Sequence, residues 1–229
     1  MRGGEPVSWQ AEESYAELES KLREYYPKVD TKRLREAFDF ARKAHEGQLR
    51  KDGTPFITHP VAAAMICAEM GLDEDSAVAC LLHDTIEDTD ATYEQIEHLF
   101  GTQVADLVEA VTKLTRVVYT SKEEEQMENL RKMLMAMAKD IRVILIKIAD
   151  RLHNMRTMNY QSEDKQREKA LETMEIYAPI AHRLGMQRVK WELEDLSLLY
   201  LDPIGYREIT EQLEKRMPVL EKFMEVNKQ

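Results

Sequence analysis

The sequence predicts an all-α protein, on three observations. Only 8 glycines and 7 prolines punctuate 229 residues, and nearly all fall where a helix should start or stop. Between them, apolar residues recur at helical spacing. No alternating apolar–polar hairpin flanks a turn, apart from a possible short excursion around Asp52-Gly53.

Taken in order, residues 1–28 read as an N-terminal helical extension. Asp30 or Thr31 caps a segment running to Gly47, with Leu34, Phe38 and Ala41 on one face. Pro60 suits the first helical position of a stretch ending at Gly71. Asp73 caps a helix from Glu74 to about Glu87. Thr92 with Gln95, and Ser121 with Glu124, form capping-box patterns, the first before a short helix that closes at Gly101. Asp140 caps the run IRVILIKIADRLHNMRTM. A long helix follows to Gly185, another covers about Gln187 to Tyr200, and Pro203 opens a last one. The expected bundle has roughly nine or ten helices, with no internal repeat. Residues 29–201 read as one domain and 202–229 as a C-terminal helical appendage.

Composition narrows the function. Lys+Arg 32 against Asp+Glu 43 leaves a net charge of −11, which repels a polyanion at long range and argues against duplex nucleic acid. A small phosphorylated ligand in a local basic pocket remains compatible. The longest uncharged window, Gly53 to Ala68, falls short of a bilayer span, so no membrane is expected. The N-terminus shows acids before any apolar core, unlike a signal peptide. Cys67 and Cys80 match no metal or redox spacing and read as small buried hydrophobes in a cytoplasmic, reduced protein. The methionines clustered at Met127, Met133, Met135, Met137, Met155 and Met158 read as core.

Candidate chemistry gathers at four places: His59 where a helix begins, His83-Asp84 after the apolar run SAVACLL, Glu87-Asp88 four residues on, and Asp150 directly after VILIKIA. On one helix, a spacing of four sets Glu87 over His83 and Asp88 over Asp84. A carboxylate buried beside apolar runs costs several kcal/mol unless it is paired or bound to a metal. A capped helix end with solvated acids is the bland alternative for His-Asp alone; the register with Glu87-Asp88 and the second buried-looking aspartate favour a cation. Two His and two Asp supply a charge of −2 for a divalent ion. Four protein ligands would close a tetrahedral zinc site, so a catalytic version favours Mn²⁺, with Fe or Mg as alternatives. Such an ion acidifies water and polarises a phosphoryl oxygen, and Glu87 and Asp88 stand ready to handle protons.

Asp150, Asn154 and Thr157 form one polar face at i, i+4 and i+7, with Lys147, Arg151 and Arg156 nearby. Arg42-Lys43 and Arg50-Lys51 flank the loop leading to His59. These could form a phosphate or nucleotide pocket, although each alone is more often solvated or ion-paired. His45, His98 and His182 read as structural.

Together these residues spell a familiar pattern. ARKAHEGQLRKDGTPFITHP, LLHDTIEDT, VTKLT and KIADRLHNMRT, in this order and spacing, resemble the hydrolase domain of the RelA/SpoT homologue family, a branch of the HD-domain superfamily. The resemblance runs from about Val29 to Tyr206. It implies Mn²⁺-dependent hydrolysis of the alarmones ppGpp and pppGpp at the 3′-diphosphate, giving GDP or GTP and pyrophosphate, in the stringent response. By position, it implies His59, His83, Asp84 and Asp150 as metal ligands and Glu87 and Asp88 as the acidic pair that activates water and assists proton transfer. It also implies Arg50 stacked on guanine, with Lys51, Asn154 and Thr157 contacting the nucleotide. Synthetase-only relatives have lost the HD and ED residues; this chain keeps them, so an active hydrolase is expected. The segment WELEDLSLLYLDPIGYREI resembles the junction to a synthetase domain, which suggests a piece of a longer bifunctional enzyme rather than a natural stand-alone hydrolase. Another HD-type nucleotide phosphohydrolase, or a non-catalytic domain binding alarmone or a partner, are the competing readings.

Overall fold

A computed structural model describes residues 6–115, 131, 133, 135 and 137–226. The Ser121–Glu124 capping box and Met127 lie outside the described residues. All the regular elements described are helical: α1 (Pro6–Tyr25), α2 (Thr31–Ala44), α3 (Thr58–Glu69), α4 (Glu74–Leu82), α5 (Thr85–Asp88), α6 (Tyr93–Phe100), α7 (Thr102–Thr115), α8 (Ile141–Arg156), α9 (Glu163–Glu172), α10 (Ala178–Arg183), α11 (Gln187–Leu201) and α12 (Pro203–Val226). The expected all-α class holds.

The helix starts follow the caps. Asp30 Oδ1 accepts from the backbone N–H of Lys32 and Arg33, Asp73 Oδ1 from Ser76, and Asp140 Oδ1 from Arg142. Thr92 and Gln95 form a complete capping box. Each occupies N–H groups that a helix start leaves without intrahelical partners. The excursion around Asp52-Gly53 is an isolated antiparallel bridge between Leu49 and Pro55. Its turn needs Gly53, whose φ of 84° is disfavoured for other residues.

Three expected boundaries differ. The helix carrying Pro60 starts two residues earlier, at Thr58, leaving the proline within the first turn, where its missing N–H costs nothing. The helix expected from Glu74 to about Glu87 breaks at His83-Asp84. There the side chains of His83 and Thr85 turn back onto the carbonyls of Cys80 and Leu82, taking acceptors that the next turn would use. The helix expected to run to Gly185 contains a π turn at Thr173–Tyr177 between α9 and α10.

The chain divides into two compact units, Met1–Tyr160 and Gln161–Gln229. In the first, α3 and α4 are central. Their sequences, THPVAAAMICAE and EDSAVACLL, are apolar nearly all round, as befits helices buried on every side. α3 packs on α1, α4 and α8, while α4 also packs on α2 and α7. Alanines at 63, 64, 68, 77 and 79 allow close approach, and the buried side chains of Val143, Ile144, Ile146 and Ile148 bring α8 against them. Cys67 and Cys80 are buried free thiols, as expected. Met133, Met155 and Met158 are core, but Met135 is exposed. In the second unit, α11 packs on α9, α10 and α12. The division expected after residue 201 falls inside this unit. Asp202 turns the chain there, its Oδ1 accepting from the Gly205 N–H.

Candidate metal centre

Three separate helices deliver the candidate ligands. The first turn of α3 presents His59, the break after α4 presents His83 and Asp84, and the buried middle of α8 presents Asp150. His59, His83 and Asp150 each offer a ligand atom within 4.8 Å of the others, and all three are buried. His59 Nε2 lies 3.2 Å from Asp150 Oδ1 and 3.6 Å from Asp84 Oδ2. His83 Nε2 lies 3.1 Å from Asp84 Oδ1 and 3.8 Å from Asp150 Oδ1. Asp84 thus reaches both imidazoles from the edge of the group.

The electrostatics are those of a cation site. His83 Nδ1 donates to the Cys80 carbonyl at 2.7 Å, which leaves Nε2 facing the carboxylates; this buried nitrogen makes no hydrogen bond. An orphaned buried donor or acceptor costs about 1–3 kcal/mol, and a metal taking the place of a proton on Nε2 would satisfy this atom. Burial pushes the His83 pKa down, but the Asp84 and Asp150 carboxylates outweigh it and hold it well above the ordinary value. Burial likewise opposes ionisation of Asp84 and Asp150, yet their cationic neighbours hold both below the usual carboxylate range. At Asp150 the charge of Lys147, whose Nζ donates to Oδ2 at 2.8 Å, is joined by hydrogen bonds from His59 and His83 and by the His83 charge. Burial lowers His59. Two imidazoles and two carboxylates of mixed N/O character fit a divalent cation.

The acidic pair lies one short helix away. Glu87 and Asp88 close α5, held next to Asp84 by the Asp88 N–H donating to the Asp84 carbonyl at 2.9 Å. Partial desolvation, with Asp84 and Glu87 alongside, raises the Asp88 pKa. Gln48 donates to the Asp88 carbonyl at 3.0 Å and contacts His45 Nδ1 at 2.9 Å. His45 is itself buried and stacked on Phe56 at 4.4 Å, a structural role under Gln48, which tethers the loop before α3 to the acidic pair.

The nucleotide candidates are partly assembled. Arg50 Nη2 donates to Thr157 Oγ1 at 3.0 Å and to Asn154 Oδ1 at 3.4 Å. Asn154 in turn donates through Nδ2 to Asp150 Oδ1, so a candidate ligand and a candidate base-stacking residue share one amide. Lys51 is exposed at the tip of the turn. Arg42 does not join this pocket: it pairs with Glu12 of α1 at 2.9 Å and with Asp39 of its own helix at 3.0 Å, beside Arg35.

Sequence reasoning passed over His153. It sits three residues after Asp150 on α8, and its Nδ1 lies 2.7 Å from His59 Nδ1. Burial, together with the His59 and Arg50 charges, lowers its pKa to about 3. The i, i+3 spacing from Asp150 was the available signal.

A family model described as HD domain matches residues 37–187. The chain belongs to the HD domain family. Residues 37–187 carry every candidate site residue. Among curated relatives, this HD domain protein is 55% identical over 197 residues to the bifunctional (p)ppGpp synthase/hydrolase SpoT of Escherichia coli K12, covering 86% of this chain and 28% of that one. It is 50% identical over 207 residues to a GTP pyrophosphokinase of Myxococcus xanthus, covering 89% and 27%. A probable guanosine-3′,5′-bis(diphosphate) 3′-pyrophosphohydrolase of Synechocystis is 56% identical over 173 residues, covering 76% and 23%. The chain thus spans about a quarter of the length of these relatives. Among the described residues, no helix is long and apolar enough to cross a membrane.

Proposed function

We propose that this chain hydrolyses ppGpp and pppGpp at the 3′-diphosphate, releasing pyrophosphate and GDP or GTP, as a cytoplasmic enzyme of the stringent response. The observation that carries the reading is the buried convergence of His59, His83 and Asp150, bordered by Asp84, with the Glu87-Asp88 pair beside it. The SpoT relative's name supplies the substrate class.

His59, His83, Asp84 and Asp150 hold the cation, taken to be Mn²⁺. Its chemistry is Lewis acidity toward a phosphoryl oxygen and acidification of water. Glu87 takes the proton of the attacking water, and Asp88, whose pKa is raised by partial burial and the neighbouring carboxylates, returns one to the 3′ oxygen as the P–O3′ bond breaks. The water oxygen ends on pyrophosphate, and the 3′-hydroxyl is restored. Arg50 stacks on the guanine while Asn154 and Thr157 fix its guanidinium; Lys51, exposed nearby, attracts the phosphates.

Residues 29–201 form the hydrolase domain in this reading, with 1–28 as a helical extension and 202–229 as the segment approaching a synthetase domain of a longer parent. The family match through residue 187 supports carrying the domain past the division after Tyr160. A panel of ppGpp, pppGpp, GTP, dGTP and cyclic GMP tests the substrate. Pyrophosphate release confined to the alarmones supports the reading; turnover of a cyclic or simple nucleotide instead would mark a different phosphohydrolase.

A further inference from the structure

His59 and His83 both turn Nε2 toward the carboxylates, but their outer nitrogens are held differently. The Nδ1 of His83 meets a backbone carbonyl, which can only accept. That bond fixes a proton on His83 Nδ1, so Nε2 is the nitrogen left to give to a cation. The Nδ1 of His59 meets another imidazole nitrogen, His153 Nδ1, at 2.7 Å with the rings tilted 37°. Such a pair holds one proton between two nitrogens, either of which can donate.

We propose that His153 is the positioning residue that sets the tautomer of His59. With the proton on His59 Nδ1 and donated to His153, His59 Nε2 faces Asp150 and Asp84 as a free lone pair. With the bond reversed, His59 carries its proton on Nε2, directed at Asp150 Oδ1 3.2 Å away, and has no lone pair to give a cation. His153 sits on the same helix as Asp150, and its backbone is fixed by the Thr157 N–H and hydroxyl, both donating to its carbonyl. The acceptor and the carboxylate ligand are therefore placed by one rigid element. Outer partners of metal-bound histidines are worth about 10–100-fold in metal affinity.

The role rests on the metal reading of the His59–His83–Asp84–Asp150 cluster, and calorimetric titration of the full 229-residue chain with Mn²⁺, without nucleotide, separates the two. In His153→Phe the ring remains and the acceptor is gone; in His153→Gln an amide oxygen can accept from His59 Nδ1. The expected result is Mn²⁺ affinity lowered about 10–100-fold in His153→Phe and restored to within a few-fold of wild type in His153→Gln. His153→Ala gives the same comparison if the phenyl ring is not accommodated. Unchanged affinity in His153→Phe, or an equal loss in His153→Gln, overturns the positioning role while leaving the metal site standing. A wild-type chain that binds no Mn²⁺ overturns the metal reading and this role with it.

Discussion

His59 Nε2 and Asp150 Oδ1 lie 3.2 Å apart, joining the first turn of α3 to the centre of α8 inside the core. Folding a carboxylate into that position is costly without positive charge, and the metal-free chain supplies it through Lys147. Lys147→Met removes the largest of the stabilising partners at Asp150 and leaves it to the two histidines and Asn154. The expected loss in chelator is about 3 kcal/mol, the usual scale for breaking a buried pair, with part of it recovered in Mn²⁺. Denaturant unfolding under both conditions checks this, and equal stability of variant and wild type in chelator contradicts it.

Asp84 and Glu87 should separate by role. Asp84 touches both imidazoles, so Asp84→Ala is expected to abolish metal binding and turnover together. Glu87→Ala should keep the metal and lose turnover by about 10²-fold or more. Parallel calorimetry and pyrophosphate assays test the division; equal metal loss in both variants contradicts it.

Arg50 contacts Asn154 and Thr157 but makes no ion pair with the carboxylates among the described residues. Arg50→Ala should raise KM for ppGpp at least tenfold while leaving Mn²⁺ affinity within a few-fold. Arg50→Lys should not rescue it, since an ammonium lacks the planar face that stacks. A variant whose KM is unchanged removes Arg50 from nucleotide recognition.

Acid should weaken the scaffold through Arg142, away from the site. Hydrogen bonds from Arg142 hold Asp140 below its ordinary range. At Asp73, partial burial is outweighed by Ser76 and Arg142, with the same result. Because both folded values are depressed, this stabilisation is complete above the unfolded value of about 4 and is lost as pH falls through the folded values. Arg142→Ala should therefore cost about 1 kcal/mol at pH 7, and urea melts should show the difference shrinking below pH 4. A difference that grows in acid would contradict the assignment.

Much of this was legible because helix signals are local. Asp30, Asp73, Thr92, Asp140 and Pro203 each announce a helix start within a few residues of sequence. The candidate ligands were legible because polar residues embedded in apolar runs are conspicuous. The break at His83-Asp84 was not, since it depends on side chains of His83 and Thr85 competing for carbonyls that a periodic pattern assigns to the backbone. Nor was His153, whose partner His59 arrives from another helix. Arg42 is ion-paired, as the blander reading had it, but its partner Glu12 comes from α1 and could not be named from local sequence.

The most direct test is pyrophosphate release from ppGpp by the purified 229-residue chain, in Mn²⁺ and in excess chelator. Metal-dependent release, abolished in Asp84→Ala, is the expected result. Intact ppGpp in the presence of chain with Mn²⁺ bound would contradict the proposed hydrolase.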